Sequence, residues 1–307
     1  MSCKKCIESP VIKLTNSPVS LCKSCFIKYF EKKVKKTISD YKLIDKNDHI
    51  VIAVSGGKDS TSLLYLIKKI VGERKDIKIT ALAIDEGIHN YRDESLEFLK
   101  GFCKKLKVNL KIVSYKEEFG KSLDEILKTY KGIPCSICGV LRRYLLNKKA
   151  KELKATKLAT GHNLDDEAQS IMMNYCRNNM AISARLGPLT GIKKDERFIP
   201  RIKPLYFLTE KEVTSYAFLK GLMDNFKECP NSQQAYRNNI REMINDLELK
   251  IPGTKHSIVN SFLEILPLLK EEYSKDSKLI KSCLKCMEPC SQEICKTCIY
   301  IETVIKS

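Results

Sequence analysis

The sequence has no apolar run long enough to form a membrane span. No stretch of its 307 residues reaches the roughly 18 consecutive apolar residues that a spanning helix needs. The first residues, from Met1 to Lys5, lead into cysteines and not into the apolar core of a secretory signal. These two absences predict a cytoplasmic protein with no membrane partner.

Acidic residues are scarce relative to basic ones. The chain has 55 Lys and Arg against 37 Asp and Glu, a net charge of +18 that is spread over much of its length. Because neutralising phosphates releases counterions, such an excess predicts a polyanionic partner such as nucleic acid. The alternative is a lysine-rich composition whose charges are simply solvated.

The sequence lacks the Walker motif, GxxxxGK followed by Ser or Thr, which binds a transferable terminal phosphate. Instead, the apolar run at 51–54 leads directly into the sequence SGGKDS, which is Ser55, Gly56, Gly57, Lys58, Asp59 and Ser60. Small residues let the backbone approach a phosphate, and the N–H groups of a helix starting near Asp59 point at it. Lys58 adds a positive charge. The spacing therefore predicts a nucleotide site, with a plain surface turn as the alternative.

A second motif, at residues 160–169, follows another predicted strand and opens another helix. Gly161 permits a close approach to a ligand. Asp165, Asp166 and Glu167 can hold Mg²⁺ on a pyrophosphate, although Asn163 or Asp165 with acidic residues in the first turn is also typical of helix capping. His162 can serve in acid–base chemistry or as a hydrogen-bonded structural residue.

Two sets of four cysteines have the spacing of structural zinc sites, in which paired thiolates close a tetrahedral shell. They lie at opposite ends of the chain and predict two Zn²⁺ ions, with iron or unmetallated thiols as alternatives. The sets are Cys3, Cys6, Cys22 and Cys25, and Cys283, Cys286, Cys295 and Cys298. Cys290 is left over, and the clustering of cysteines in C-x-x-C pairs favours metal chemistry in a reducing compartment over disulfides.

Three further cysteines, Cys135, Cys138 and Cys229, cannot complete a four-thiolate site. They can hold a [4Fe-4S] cluster by three corners and leave one iron open to a small ligand. A redox pair that carries a persulfide is an alternative, as is a pair of cysteines at a helix start with no metal. Cys103 and Cys176 fall on predicted helices and are interpreted as ordinary core cysteines.

The alternation of short apolar strands with amphipathic helices predicts an α/β fold with a doubly wound parallel sheet. Predicted strands lie at 49–54, 77–84, 108–113 and 157–160, and predicted helices at 60–71, 93–106, 137–153, 164–177, 210–220, 233–247 and 257–272. Residues 179–208 are irregular and basic. The predicted domains are an amino-terminal zinc finger at 1–30, a basic linker helix at 31–47, a catalytic domain at 48–275 and a carboxy-terminal zinc finger at 276–307.

The SGGKDS loop resembles that of the ATP pyrophosphatases, which cut ATP between its α- and β-phosphates and make an adenylate of the substrate. The order of seven elements along nearly the whole chain is similar to that of the cytosolic-type tRNA 2-thiouridine synthetases, the TtuA/Ctu1 family. The elements are the two Cys₄ fingers, the loop at 55–60, the stretches at 134–139 and 161–169, the basic segment at 199–205, and Cys229 with Pro230.

This resemblance implies a tRNA sulfurtransferase that uses ATP, Mg²⁺, a [4Fe-4S] cluster and two Zn²⁺ ions. ATP would activate the C2 oxygen of a tRNA uridine, and sulfur would replace it through a cluster on Cys135, Cys138 and Cys229. The implied ATP-binding residues are Ala53, Ser55, Gly56, Gly57, Lys58, Asp59, Ser60, Ile84, Asp85, Gly161 and Asp166, with Lys58 and Asp59 also catalytic. Arg142, Arg143, Arg201 and Lys203 are candidate contacts for phosphate or tRNA.

The same resemblance implies a homodimer, a sulfur donor that is free sulfide or a ubiquitin-like thiocarboxylate protein, and a target at U34, preferred over U54. A tRNA 2-thiocytidine synthetase is the nearest alternative, but those enzymes lack the terminal fingers. Synthetases that use nitrogen nucleophiles would have no use for the three internal cysteines. A non-catalytic zinc protein that binds RNA is the alternative outside the enzymes.

Overall fold

The computed structural model describes residues 2–192, 197–223, 229–231, 236–275 and 281–305. Its centre is a parallel sheet of five strands in the order β5-β4-β3-β6-β7. The strands are β3 (His49–Ala53), β4 (Lys78–Asp85), β5 (Asn109–Ser114), β6 (Lys157–Ala159) and β7 (Arg201–Ile202). The predicted doubly wound parallel sheet is confirmed, and the chain reverses its winding direction between β3 and β6.

Two antiparallel hairpins flank this sheet in sequence. The amino-terminal hairpin pairs β1 (Ile12–Lys13) with β2 (Ser20–Leu21), and the carboxy-terminal one pairs β8 (Lys281–Ser282) with β9 (Pro289–Cys290). Each hairpin lies within one of the predicted Cys₄ segments.

The helices account for most of the remaining described residues. In chain order they are α1 (Lys23–Asp40), α2 (Lys58–Val71), α3 (Arg92–Leu106), α4 (Tyr115–Phe119), α5 (Leu123–Thr129), α6 (Pro134–Glu152), α7 (Leu164–Cys176), α8 (Met180–Ser183), α9 (Glu210–Lys220), α10 (Tyr236–Lys250), α11 (Thr254–Lys275) and α12 (Lys296–Tyr300). A π-helical turn follows at Ile301–Ile305. Among the described residues, no helix is long and apolar enough to cross a membrane.

The central strand β3 is buried on both faces, as expected of a parallel sheet. Ile50 and Ile52 pack into a core with α1, α2, α3 and α9, and Val51 faces a second core under α5 and α6. A third core joins α7, α10 and α11. The sheet therefore carries helices on both faces, and its strands point their carboxyl ends at one common edge.

The two terminal segments attach to opposite cores. Cys3, Cys22 and the helix α1 belong to the core on the α2 face, whereas the π-helical turn packs through Ile305 against the α6 face. α1 begins at Lys23 and so crosses the predicted boundary between finger and linker helix at residue 30. The amino-terminal segment thus packs into the main core of the protein through Cys3, Cys22 and α1.

Several element bounds differ from the sequence-based ones. α6 begins at Pro134 and not at residue 137, because proline at a first helical position needs no hydrogen-bond acceptor for a backbone N–H. The basic region at 179–208 contains α8 and the edge strand β7. The predicted helix start at 233 lies outside the described residues, as do Lys193 and Lys194.

Candidate active site

The phosphate loop occupies the turn between β3 and α2 at the switch point of the sheet. Ser60 Oγ accepts a hydrogen bond from Ser55 N at 3.1 Å and donates one to Gly57 O at 3.0 Å, which closes the loop on itself. Gly56 has a φ of +88°, and a Cβ there would lie 3.0 Å from the carbonyl oxygen of Ser95. The N-cap residue of α2 is Gly57, which has no side chain to cap the helix, so the first-turn N–H groups of α2 face the position expected for a phosphate.

Lys58 is buried and lies between two carboxylates. Its Nζ is 3.1 Å from Asp59 Oδ2 and 3.1 Å from Glu210 Oε1, and Arg241 also contacts Glu210. Burial lowers the pKa of Lys58, but the charges of Asp59 and Glu210 outweigh that effect and raise it. The ammonium group therefore stays charged in a position next to the loop.

The second motif meets the first directly. A Cβ on Gly161 would lie 3.0 Å from the backbone carbonyl carbon of Asp59 and 3.1 Å from Ser60 N. Asn163 Nδ2 donates a hydrogen bond to Asp59 Oδ1 at 3.0 Å. Asn163 also caps α7 in a capping box with Asp166, which confirms the capping interpretation. The role of this motif as a ligand site stays a prediction.

The three neighbouring acids of the second motif point to different partners. Asp165 accepts hydrogen bonds from Lys255 Nζ and, at 2.7 Å, from Glu210 N. Glu167 is paired with Lys203 at 2.7 Å. Asp166 accepts a hydrogen bond from Asn163 N and pairs with Arg237; burial raises its pKa to about 6, while Arg237 opposes that shift. The structure thus does not bring all three carboxylates to one Mg²⁺ position.

His162 lines the cleft beside these acids. Its Nδ1 forms a hydrogen bond with Thr160 Oγ1 at 2.9 Å. His162 is exposed, and its ring is held by its own loop through this hydrogen bond. That arrangement fits the structural interpretation of this residue.

The remaining nucleotide-side residues end the two neighbouring strands. Ala53 is the last residue of β3, and Ile84 and Asp85 are the last residues of β4. Asp85 Oδ1 accepts a hydrogen bond from Gly87 N at 2.9 Å. All three lie at the carboxyl edge of the sheet, where ligands bind in open α/β folds.

Cys135 and Cys138 lie in the first turns of α6, and Cys229 approaches them from a distant segment. Cys135 Sγ contacts Asn231 O at 3.4 Å, and Tyr115 donates a hydrogen bond to Cys138 O at 2.9 Å. Burial raises the pKa of the Cys229 thiol, and the charges of Cys138 and Cys135 raise it further. The structure therefore brings the three cysteines into one neighbourhood.

Their sulfur atoms are spaced more widely than those of the two Cys₄ sets. Among the described residues, the sets whose ligand atoms all lie within 4.8 Å of one another are the two terminal ones. Three thiolates that each bind a different iron of a cube need to be farther apart than four thiolates on one ion. Cys135, Cys138 and Cys229 therefore do not form a compact set of the kind that a single zinc ion needs.

Both Cys₄ sets close as the spacing predicts. In the amino-terminal set Cys6 Sγ lies 3.5 Å from Cys22 Sγ and 3.8 Å from Cys25 Sγ. In the carboxy-terminal set Cys283 Sγ lies 3.8 Å from Cys298 Sγ. Cys290 instead donates to Gln292 O. Cys103 is buried as predicted, whereas Cys176 is exposed at the end of α7, so the prediction of a core position was wrong for Cys176. Each set offers four sulfurs and no open position, which is typical of a structural metal site.

The four candidate basic residues fall into two pairs. Lys203 is buried against Glu167, and Arg142 contacts Glu86 and Cys138. Arg143 and Arg201 have no ion-pair partner among the described residues. Burial lowers the pKa of Arg201, and the charge of Arg143 lowers it further. Within the described part of the chain, Arg143 and Arg201 are thus neighbouring cations without an acidic partner, whereas Lys203 has one.

Sequence reasoning missed several residues that hold this site together. They are Glu86, Arg92, Glu210, Arg237 and Arg241, each of which contacts a site residue or its support. A charged residue directly after a buried strand, as Glu86 is after β4, was the one available signal. The others lie on helices whose surfaces are generally charged.

Comparison with known proteins agrees with this geometry. A model of the PP-loop domain matches residues 27–248. The tRNA-5-methyluridine(54) 2-sulfurtransferase of Pyrococcus horikoshii is 39% identical over 300 residues, which cover 98% of this chain and 93% of the relative. Cytoplasmic tRNA 2-thiolation protein 1 of Danio rerio is 36% identical, with 98% and 88% covered.

A solved structure extends the likeness to three dimensions. The U34-tRNA thiolase NcsA from Methanococcus maripaludis, determined with its [4Fe-4S] cluster, matches with a TM-score of 0.83 and 34% identity. The match covers 98% of this chain and 95% of that one. Both terminal fingers and the catalytic core are therefore included, and the chain belongs to the PP-loop family of tRNA 2-thiolation sulfurtransferases.

Proposed function

We propose that this protein adenylates the C2 oxygen of a tRNA uridine with ATP and then replaces that oxygen with sulfur, giving 2-thiouridine. The observation that carries the proposal is the meeting of two groups at one sheet edge. The loop at 55–60 closes beside Gly161, and Cys135 and Cys138 begin a helix that is joined to the end of β4 through Glu86. An adenylating group and a sulfur-handling group within one cleft fit this two-step reaction.

The phosphate loop binds and orients ATP. The N–H groups at the start of α2 and the charged Lys58 neutralise phosphate oxygens, and Ala53, Ile84 and Asp85 border the adenosine. We assign Mg²⁺ on the pyrophosphate to Asp59 and Asp166, because their carboxylates are half-buried and both contact Asn163, whereas Asp165 and Glu167 are buried in ion pairs with lysines. AMP is a much better leaving group than a carbonyl oxygen, which is the reason for adenylation.

The three internal cysteines fit a cluster held by three corners. The other cysteines of the chain belong to the Cys₄ sets or lie elsewhere as Cys103, Cys176 and Cys290. When bound, a [4Fe-4S] cluster would supply an iron with an open position for sulfur. Cys135 is the exposed member of the group and Cys138 the buried one, so the protein would shield one side of the cluster and leave the other towards the cleft.

Arg143 and Arg201 are the cations we assign to tRNA phosphate. Two guanidinium groups that repel each other are stabilised when an anion lies between them. Arg142 supports the same region, although its contacts are with Glu86 and Cys138. We assign Lys203 a structural part instead, because its ammonium group is buried in an ion pair.

The remaining assignments follow the relatives. U34 is the target named for the Methanococcus thiolase and U54 the one named for the Pyrococcus enzyme; we propose U34 here. We propose Zn²⁺ in both Cys₄ sets, a homodimer, a sulfur donor that is free sulfide or a thiocarboxylate protein, and the cytoplasm as the site of action, as the name of the Danio relative states for that protein.

Nucleoside mass spectrometry tests the reaction. Unmodified tRNA is incubated anaerobically with reconstituted protein, ATP, Mg²⁺ and sulfide, then digested and mapped. We expect ATP-dependent 2-thiouridine at U34 and one AMP for each thionucleoside. Cys229→Ala should abolish the product, whereas Cys176→Ala, at an exposed cysteine outside the group, should leave it unchanged. 2-Thiocytidine, or no AMP, would refute the assignment, and product at U54 would refute the position.

A further inference from the structure

Glu86 joins the two halves of the active site. It directly follows β4, its side chain is 6% exposed, and its carboxylate meets two guanidinium groups. Glu86 Oε2 lies 2.9 Å from Arg92 Nε, and Glu86 Oε1 lies 3.0 Å from Arg142 Nε. Burying a carboxylate costs free energy unless it is paired and hydrogen-bonded. The positions of the two guanidinium groups around Glu86 are therefore closely constrained.

Arg92 carries the contact to the nucleotide side. It is buried at the start of α3, and its Nη1 donates a hydrogen bond to the backbone oxygen of Ser55 at 2.7 Å. Its Nε and Nη2 also donate to Ile84 O at the end of β4. Arg92 thus fixes the beginning of the phosphate loop to the neighbouring strand.

Arg142 carries the contact to the cysteine side. It lies on α6 one turn after Cys138, and its Nη2 donates a hydrogen bond to Cys138 Sγ at 3.1 Å. Its Nε is held by Glu86. The orientation of the guanidinium, and with it the hydrogen bond to sulfur, therefore depends on a carboxylate from another element.

We propose that Glu86 is a positioning residue that fixes the phosphate loop and Cys138 relative to each other, through Arg92 and Arg142. The inference rests on the proposed function and deepens it. It names the residue that fixes the position of the ATP-binding half of the site relative to the cysteine half. The continuous chain runs from Ser55 O through Arg92, Glu86 and Arg142 to Cys138 Sγ. Such a coupling is reciprocal, so a change at either end is felt at the other.

The nucleotide end is tested without any cluster. Binding of α,β-methylene ATP with Mg²⁺ is measured by calorimetry on cluster-free full-length protein. Glu86→Gln keeps the shape of the side chain but places an amide N–H group against one of the two guanidinium groups. We expect the ATP analogue to bind roughly tenfold more weakly, which corresponds to the loss of one hydrogen bond to a charged group. Arg142→Gln should also weaken binding, but not further in a Glu86→Gln background, because the two residues act along one chain.

The cysteine end is tested by the reduction potential of the reconstituted cluster. Hydrogen bonds to the cluster sulfurs raise that potential. Glu86→Asp keeps the negative charge but is too short to reach both guanidinium groups, so it releases Arg142 from its orientation. We expect full iron content in Glu86→Asp, with a potential shifted to a more negative value. If Glu86 had a purely structural role, its substitution would lower the thermal stability of the protein and leave the reduction potential of the cluster unchanged.

Glu118→Gln is the matched control. Glu118 also lies between two cations, Lys148 and Lys149 of the same helix α6, at 2.8 and 2.6 Å. It contacts neither the phosphate loop nor a cysteine. This variant should keep both the nucleotide affinity and the potential of the unmodified protein, even where it loses stability.

Two outcomes would overturn the proposal. One is unchanged nucleotide affinity in a folded Glu86→Gln protein together with an unchanged potential in Glu86→Asp, and the other is a full additional effect of Arg142→Gln in the Glu86→Gln background. If Glu86→Gln does not fold, Glu86→Asp, which keeps the charge but is too short to reach both guanidinium groups, is judged by the same two measurements. Neither measurement needs thiolation, so failure of the proposed reaction would be recognised separately.

Discussion

The buried ion pair between Lys203 and Glu167 yields a prediction whose size follows from the structure. The two charged atoms are 2.7 Å apart, and the side chains are 7% and 1% exposed. The second carboxylate oxygen of Glu167 has no hydrogen-bond partner among the residues that the structure describes. Lys203 is therefore the group that compensates this buried charge, and we consider the change Lys203→Met, which keeps much of the side-chain volume.

Removing one partner of a buried pair costs about 3–5 kcal/mol, because the other charge is left uncompensated. Replacing both partners by apolar residues of similar volume is often nearly neutral. We therefore expect Lys203→Met to lower the free energy of unfolding by about 3 kcal/mol or more. The double change Lys203→Met with Glu167→Leu should recover most of this loss.

Urea denaturation, followed by far-ultraviolet circular dichroism, measures these differences. Burial already raises the pKa of Glu167, and Lys203 opposes that shift. Without Lys203 the folded-state pKa rises further above the unfolded value, so the contribution of Glu167 to stability is present at low pH and is lost as the pH rises through the folded pKa. The single variant should therefore be closer to the unmodified protein at pH 5 than at pH 8.

The alternative assignment of Lys203 is a contact with tRNA phosphate. It predicts the opposite pattern: unchanged unfolding free energy and weaker tRNA binding for Lys203→Met. That result would refute the reasoning, as would a double variant that is less stable than the single one.

Four further perturbations have expected outcomes. Gly161→Ala should weaken binding of an ATP analogue about tenfold or more, because the new methyl group would lie 3.0 Å from backbone atoms of the phosphate loop. Gly101→Ala, which adds a methyl group in open space, is the control for the calorimetric measurement. Equal affinities of the two variants would contradict the close approach. Asp166→Asn should flatten the pH dependence of the unfolding free energy of the cluster-free protein. The pKa of Asp166 is raised to about 6, so its contribution to stability is present at low pH and is lost as the pH rises through that value. The same pH dependence in the variant and the unmodified protein would contradict the raised pKa. Cys22→Ser should release one of the two zinc ions that we propose, as measured in a metal assay. It should also lower the melting temperature more than Cys295→Ser does, because Cys22 lies in the main core; the reverse order would show that the finger folds separately. Affinity for tRNA should fall steeply with salt concentration because of the charge of +18, and a flat response in a filter-binding series would assign that charge to solubility alone.

The sequence predicted the sheet well because each of its strands has a strong local signal. β3, β4, β5 and β6 are β-branched or apolar runs that are followed by turn residues, and their observed bounds differ by a few residues at most from the predicted ones. β7 could not be found in this way. It has two residues, one of them Arg201, and it exists because β6 offers it a partner.

Two short helices, α4 and α5, were missed although their signals are present. Ser114 with Glu117, and Ser122 with Glu125, form capping boxes that a search for serine followed by glutamate would have found. In the site, glycine and cysteine positions could be predicted because their chemistry is rare. The partners of the acids could not, because Lys255, Lys203 and Arg237 come from distant segments and only the folded chain brings them to Asp165, Glu167 and Asp166.

The two halves of the nucleotide site also have a consequence for folding. Asp59 and Asn163 are separated by 104 residues in sequence, and they meet only when β6 has joined β3. Pairings of such high sequence separation close large loops and form slowly. A newly made chain therefore acquires its affinity for ATP late, when the sheet has been extended past its first strand. From that point on, cellular ATP favours the completed fold by mass action, and the substrate helps to stabilise the enzyme that consumes it.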